Sequence, residues 1–552
     1  MKVQRSMLFI LCGWILSCQS NNENELLSAD GGDEQEQQQK CQAWLNFVEQ
    51  NERNVLLDFS YAGYKHGEEV PPENVWALGY TKYDITKYGA IPNDGKSDRK
   101  AFLKILEELN ATGNKQNPNA RAIIYFPEGE FILYSAEEDG KTEGATETME
   151  IRAGNIILKG AGQGKTYITM KDPYLPADGE VAAGYMIRFR NWSGFRELTR
   201  VIGNTAKGTY SVEVNSTLGI SPGDWMCLKL EDNSQELIAN ELKPYAVSSS
   251  MTQIQKDGVQ VYDIHQVKSV HGNTVTFVEP IMHEVDCQWN WQLCNYSYYE
   301  NIGVEDLTFK GNTSQYFDHG EWTINTAYMP LGFMRVVNSW IRRVNFHSVS
   351  EAASFIYSAN VSVFDVSIDG NRGHTNVHAD SSSRLFFGNI TDCSDTFSKK
   401  GVGQWHATGV TKRSIGTVIW NCKWGTDTNF ESHATQPRAT LIDCCTGGFL
   451  QMHQGGATSE LPNHLDDLTL WNFNATHVLP EEAKKWVWWS DNRGWKFLPP
   501  TIVGFHGSEV HFVKKQVKLN DDQGKIVDPL SLYEAQLQRR LGYVPNWLME
   551  LK

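Results

Sequence analysis

Three things are missing from this sequence of 552 residues, and each removes a class of explanation. Basic side chains do not outnumber acidic ones: 50 Lys and Arg stand against 66 Asp and Glu, a formal charge of −16. A protein that neutralises nucleic-acid phosphates shows the opposite balance, so no nucleic-acid partner is expected. Any anion site must be a local cluster, because the overall field repels anions. Long apolar runs are missing too; the one candidate, Met7 to Leu16, is too short to span a bilayer. Finally, the ten cysteines include no Cys-x-x-Cys pair, so no structural zinc and no other metal site is assigned. Ca²⁺ stays open without a motif to indicate it. What is present, 40% hydrophobic and 21% charged residues, excludes collagen-like, coiled-coil and wholly disordered chains.

The N-terminus reads as a targeting segment. Lys2 and Arg5 precede the short apolar run, which ends Ile15-Leu16-Ser17-Cys18. That ending looks like a bacterial lipobox and implies a signal peptide over 1–17 and acylation of Cys18. Residues 19–40 hold six acids, five Gln and one Lys, so 18–54 is expected to be a lipidated acidic tether and lead-in. Export implies an oxidising setting. Cys287 and Cys294 flank a short loop and are candidates to pair, whereas Cys393, Cys422, Cys444 and Cys445 are expected as buried thiols on neighbouring strands.

The body of the chain is rich in short strands. Tyr83-Asp-Ile-Thr-Lys-Tyr-Gly-Ala-Ile-Pro-Asn-Asp-Gly-Lys-Ser-Asp98 runs from a strand into an Asp-Gly turn, and Asp98 is placed to cap a helix carrying Phe102, Ile105 and Leu109. Ala122-Ile-Ile-Tyr-Phe-Pro-Glu-Gly129 and Asn155-Ile-Ile-Leu-Lys-Gly160 follow. This ordered opening resembles that of the pectate-lyase-like superfamily of right-handed parallel β-helices. Residues 55–195 are therefore expected to be the N-terminal part of a β-helix. From 196 to 285 the rhythm breaks into alternating strands such as Gly223-Asp-Trp-Met-Cys-Leu-Lys-Leu230, read as an inserted β subdomain resembling a small antiparallel barrel.

Over 286–480 strand-like pieces recur, with Phe346, Ile368 and Ile390 spaced 22 apart and Cys422 and Cys444 likewise. A period near 22 with occasional long loops suits a three-strand coil. Asn before the last strand residue suggests a side-chain ladder. A capping box at Ser531-Leu-Tyr-Glu534, then Leu537, Leu541, Gly542 and Pro545, predicts a helix over 531–541 inside a C-terminal cap, 481–552. The fold expectation is thus all-β: a right-handed parallel β-helix with an inserted β subdomain and a cap.

Gly160-Ala-Gly-Gln-Gly-Lys-Thr166 is not a nucleotide loop, since Lys159 and Lys165 stand where glycines are required. Histidine placement carries more chemistry. Six of fifteen lie between 374 and 464: His374, His378, His406, His433, His453 and His464. His406, His433 and His453 are spaced near one coil, which predicts a row roughly 5 Å apart. Single histidines in such turns usually serve packing; three in one row, interleaved with Lys399, Lys400, Glu431 and Arg438, suggest a site. Trp405 and other tryptophans are candidates for stacking on sugar.

Further motifs in the last half strengthen a resemblance: Gln404-Trp-His406-Ala-Thr-Gly, Glu431-Ser-His433, Met452-His453-Gln-Gly-Gly456, Pro462-Asn-His464 and Pro529-Leu-Ser-Leu-Tyr-Glu-Ala-Gln-Leu537. Together they resemble the secreted, pectate-lyase-like lipoproteins of polysaccharide-utilising Bacteroidetes, and within them the oligosaccharide dehydratase of ulvan degradation. The resemblance implies β-elimination of water from a non-reducing-end uronic acid, giving a 4,5-unsaturated uronate, with an anionic oligosaccharide as partner. It also implies a monomer held at the outer membrane of the cell envelope by a lipid anchor. On chemical grounds His406 and His433 are the candidate acid and base and Arg438 the neutraliser of the carboxylate, with Lys400, Glu431, His453 and Trp405 binding or orienting. Chain-cleaving lyase action, hydrolysis through Asp392 and Asp395 or Asp466 and Asp467, and non-catalytic glycan binding remain open.

Overall fold

Parallel pairing dominates the computed structural model, which describes residues 40–110, 117–135, 148–174, 184–314, 328–394, 406–451, 454–490 and 495–552. The signal segment, Cys18 and the acidic tether to residue 39 lie outside them, as do Lys400, Trp405 and His453. The chain from Lys40 onward is a right-handed parallel β-helix. Its longest sheet runs through strands Ala122–Tyr125, Ile156–Lys159, Ile302–Lys310, Val336–His347, Ala359–Asp369, Phe386–Asp392, Val418–Trp420, Thr440–Asp443, Leu468–Trp471, Thr501–Val503 and Leu519–Asp521. A seven-stranded sheet forms a second wall, ending with Glu351–Ile356, Thr375–Asp380, Gly409–Thr411 and Glu431–His433. Between these walls, apolar side chains from successive coils stack on like neighbours, for example Phe189, Phe333 and Phe355 with ring centroids 5.0 and 4.6 Å apart.

Coil length varies more than the sequence period suggests. Phe346 pairs with Ile368, 22 residues on, but Val366 pairs with Ile390 and Phe386 with Val418. The recurring asparagines serve the backbone: Asn389, Asn421 and Asn472 take φ of 49°, 49° and 46°. Asparagine tolerates this left-handed backbone, so it suits the corners where a strand must turn.

The insert is an antiparallel sheet of six strands, closed into a barrel by a bridge between Val201 and Val214. It extends from Arg196 to Asn295, past the boundary expected at 285, because Trp291–Asn295 pairs with Trp225–Asp232. That pairing sets Cys294 opposite Cys227, while Cys287 is exposed, which corrects the expected Cys287–Cys294 pair. Of the four later cysteines only Cys422 and Cys445 are buried; Cys393 is exposed and Cys444 half-buried.

Two further expectations need correction. Asp98 does not cap its helix, Arg99–Leu109; its carboxylate accepts the Ile91 and Ile132 amides at 2.9 and 3.2 Å and so ties the turn to a coil. Residues 481–552 are not purely a cap, since Thr501–Val503 and Leu519–Asp521 continue the long sheet. The C-terminal helix Leu532–Leu541 begins at Ser531, whose hydroxyl accepts the Glu534 amide, and ends at Gly542. It lies on the flank. Phe364, Phe386, Trp420 and Trp471 point outward from the long sheet, and Tyr533, Leu537 and Trp547 cover that apolar face. Asp443 locks the helix there, accepting the Ser531 hydroxyl at 2.6 Å and the Tyr533 amide at 2.9 Å.

Candidate functional site

Alternation along the seven-stranded sheet sends Ala353, Phe355, Val377, Ala379 and Val410 into the core. The residues between them face outward, and here they are polar. In strand register, Ser354, His378, Gly409 and Glu431 form one column across four strands, while Glu351, Thr375 and His406 align three residues earlier in the chain. Gly409 explains how His378 and Glu431 meet although a strand separates them. A Cβ at 409 would stand 2.5 Å from the Glu431 carbonyl oxygen and 2.9 Å from its Cβ, so only glycine leaves the space.

Glu431 is the hub. Its Oε2 lies 2.9 Å from His378 Nε2 and its Oε1 lies 3.5 Å from His406 Nδ1. His378 Nε2 is also 2.8 Å from Thr375 Oγ1, and the His374 and His406 rings meet edge to face at 5.1 Å. Gly455 packs against both Glu431 and the His433 ring, leaving no room for a side chain. Gln454 anchors this segment, accepting the Ser432 amide at 2.7 Å and donating to the Phe430 carbonyl at 2.9 Å. Burial opposes the charge on Glu431, but His406, His433 and His378 outweigh it and hold the carboxyl well below its usual range. Burial likewise opposes protonation of His378, and the Glu431 carboxylate reverses this, raising the imidazole above its ordinary value.

Glu351 behaves in the opposite way. Desolvation raises it to about 7; His378 pulls it down, and the Glu431 and Asp380 charges add to the rise. Tyr185, whose ring covers Gly332, places its hydroxyl 3.5 Å from Glu351 Oε1. Glu351, Tyr185 and His433 are half-buried and form the accessible rim, with His378, His406 and Glu431 beneath. Sequence reasoning missed Glu351, Tyr185 and the part played by His378. Among the described residues, no three His, Cys, Asp or Glu side chains are arranged to hold a metal ion.

The expected row of histidines is not formed. His406 pairs in register with Thr375, whereas His433 pairs with Thr411 and so belongs with Asp380, a different column. Equal sequence spacing misleads because the steps in register are unequal, 31 residues from His378 to Gly409 but 22 from Gly409 to Glu431, so a spacing of 27 from His406 to His433 leaves the column. His464 belongs to packing: it bonds the Leu465 carbonyl and Thr440 Oγ1, and burial lowers it to about 4. Gly160–Thr166 is a turn, with Gly164 at φ 68°.

Arg438 is directed to the insert. Its guanidinium donates to Glu241 Oε2 at 3.0 Å and to the Gln260 carbonyl at 3.4 Å, and Glu241 Oε1 lies 2.7 Å from His283. Arg438, Glu241 and His283 line a cleft of about 320 Å³ together with Lys207, Lys518 and Asp467. Its charges satisfy one another: Lys207 and Lys518 each bridge Asp466 and Asp467 at 2.6–3.2 Å. The aspartate pair considered for hydrolysis is therefore locked in ion pairs. Asp392 accepts Ser394 instead, and its suggested partner Asp395 lies outside the described residues.

A family model described as a domain of unknown function (DUF4955) matches residues 403–551. No curated protein matches the chain. Among solved structures, the tailspike protein gp49 from Pseudomonas phage LKA1 is 11% identical over 76% of this chain and 64% of its own, with a TM-score of 0.39. The chain thus spans less than two thirds of that tailspike. The A-module of Azotobacter vinelandii mannuronan C-5 epimerase AlgE4 is 12% identical over 80% of this chain and 79% of its own, TM-score 0.33. The tailspike of Escherichia coli bacteriophage HK620, solved with a pentasaccharide, is 8% identical over 80% and 59%, TM-score 0.40.

Proposed function

We propose that this protein is a carbohydrate-active enzyme that removes water by β-elimination from the non-reducing-end uronic acid of an anionic oligosaccharide. One observation carries the reading. A carboxyl that titrates near neutrality, Glu351, stands beside an imidazole whose protonated form is favoured by a buried carboxylate, His378 with Glu431. Elimination needs that combination, a base for the C5 proton and an acid for the departing C4 oxygen. Glu351 takes the C5 proton and His378 donates to the C4 hydroxyl, which leaves as water. Three imidazoles surround the one Glu431 carboxylate and favour its charged form, and that carboxylate in turn favours the protonated form of His378. Cleavage of a chain uses the same steps with a sugar oxygen leaving.

The test is product analysis on oligosaccharides from ulvan. Elimination creates ultraviolet absorbance from the conjugated carboxylate; new reducing ends without absorbance would mean hydrolysis, and no product would mean binding alone. A pH profile adds a second test. Activity is expected to rise as pH passes about 7, where Glu351 loses its proton, and to fall at higher pH as His378 deprotonates. Glu351→Gln should remove the rising limb and lower kcat by roughly 10²–10⁴-fold. An unchanged limb in that variant would take the base role from Glu351.

A further inference from the structure

The outward polar face does not stop at Tyr185. It continues along the helix axis to strand Ile187–Arg190, where Ile187 and Phe189 enter the core and Arg188 and Arg190 point out. Arg188 stands in the column of Gly332, Ser354 and His378, three strand steps and so about 14 Å from that imidazole. Both guanidiniums share one carboxylate: Glu150 Oε1 lies 2.7 Å from Arg188 Nη2 and 3.5 Å from Arg190 Nη1. Glu150 Oε2 accepts the Trp192 indole N–H at 3.0 Å. The Arg190 guanidinium lies on one face of that indole, and Trp192 remains 56% exposed.

Two cations against one anion leave a local positive charge on a protein whose net charge is −16. Among the described residues, Nε of Arg188 and of Arg190 has no hydrogen-bond partner. Burial and the neighbouring Arg188 lower Arg190 to about 10, so it stays charged at neutral pH. An exposed indole beside a cation pair matches a sugar ring bearing an anionic group, the ring resting on the aromatic face and the anion meeting the guanidiniums.

We propose that Arg188, Arg190 and Trp192 form a remote subsite for a sugar residue carrying a carboxylate or sulfate ester, on an oligosaccharide laid along the helix axis from the Glu351–His378 pair. The subsite rests on the proposed reaction for its substrate class, but it can be read by binding alone. The protein as it stands, the variants Trp192→Ala and Arg190→Gln, and the charge-keeping Arg190→Lys are titrated with ulvan disaccharide and with longer ulvan oligosaccharides, sulfated and desulfated. For the longer chains, Trp192→Ala and Arg190→Gln are each expected to weaken binding and raise KM about tenfold while kcat is unchanged. Arg190→Lys should recover part of the loss, and no variant should alter the disaccharide. A loss confined to sulfated chains identifies sulfate as the anion; an equal loss on both identifies the carboxylate.

Because Trp192 is exposed, its replacement does not threaten folding, and it keeps the test valid should Arg190→Gln unfold. Wild-type affinity of Trp192→Ala for the longer chains would overturn the subsite while leaving the reaction untouched. Wild-type protein that binds the chains without turnover would sink the elimination and leave the subsite standing. Wild-type protein that neither binds nor turns over would overturn both.

Discussion

Glu431→Gln is expected to lower kcat by roughly 10²–10⁴-fold with the fold retained, because the group that keeps His378 protonated loses its charge but not its shape. The substitution preserves volume beside Gly455 and keeps an oxygen near His378 Nε2. His378 then moves back down toward its ordinary value, since the main counterweight to burial is gone and only Glu351 and Asp380 still raise it. The falling limb of the pH profile should therefore move to lower pH, a change that a merely structural role would not produce. His378→Ala is expected to match this loss. The double variant should be little worse than either single one, since the two groups act as a unit. His406→Ala and His433→Ala remove the other imidazoles around Glu431 and are expected to lower kcat also, by taking away groups that favour the Glu431 carboxylate. Kinetics on purified variants, with circular dichroism as the control for folding, check all five. Wild-type turnover in Glu431→Gln would return the cluster to packing.

Much of the architecture was legible because a parallel β-helix writes its period into the chain. Short apolar strands, turn glycines and the antiparallel rhythm of 196–285 each report a local backbone preference. The site was legible only as a neighbourhood. His406 and His433 were found through their spacing and Glu431 as a neighbour interleaved with them, yet spacing could not show that Gly409 opens the gap through which Glu431 reaches His378. Tyr185 and Glu351 were missed because they lie far from the histidine motifs in sequence and arrive only through strand register. Arg438 shows the converse. Its closeness in sequence to His433 suggested a shared task, but its guanidinium is committed to Glu241 across the insert boundary. The flank position of the C-terminal helix was hidden for a similar reason: outward-facing Phe386 and Trp420 look like core residues in sequence, and a solenoid with one apolar outer face must cover that face.

Arg384→Met should destabilise the protein by about 3–5 kcal/mol, because it leaves a buried carboxylate without its cation. Arg384 projects from a β-helix coil into the insert and is fully buried. Its Nη1 lies 2.6 Å from Asp263 Oδ1 and donates to the Ile264 carbonyl at 3.1 Å, while Nη2 donates to the Pro280 carbonyl at 2.8 Å. The network runs on: Asp263 Oδ2 is 2.9 Å from His265 Nε2, His265 Nδ1 is 3.3 Å from Glu279, and Glu279 Oε1 is 2.7 Å from His66, in the segment before the first strand. One chain of charges thus fastens coil, insert and that N-terminal segment together. Burial works against the charge on Asp263, but Arg384 first and His265 next hold its carboxyl far below the usual range. A carboxyl depressed in the folded state contributes stability above its unfolded pKa and loses it as pH falls through the folded value. The wild type should therefore lose this contribution only in strong acid, and Arg384→Met should lack it already at neutral pH. Denaturant unfolding at pH 7 and in acid measures the difference. A gap between the two proteins that is large at pH 7 and narrows as Asp263 protonates is the expected result; equal stability at pH 7 would show that the charge chain does not hold the insert.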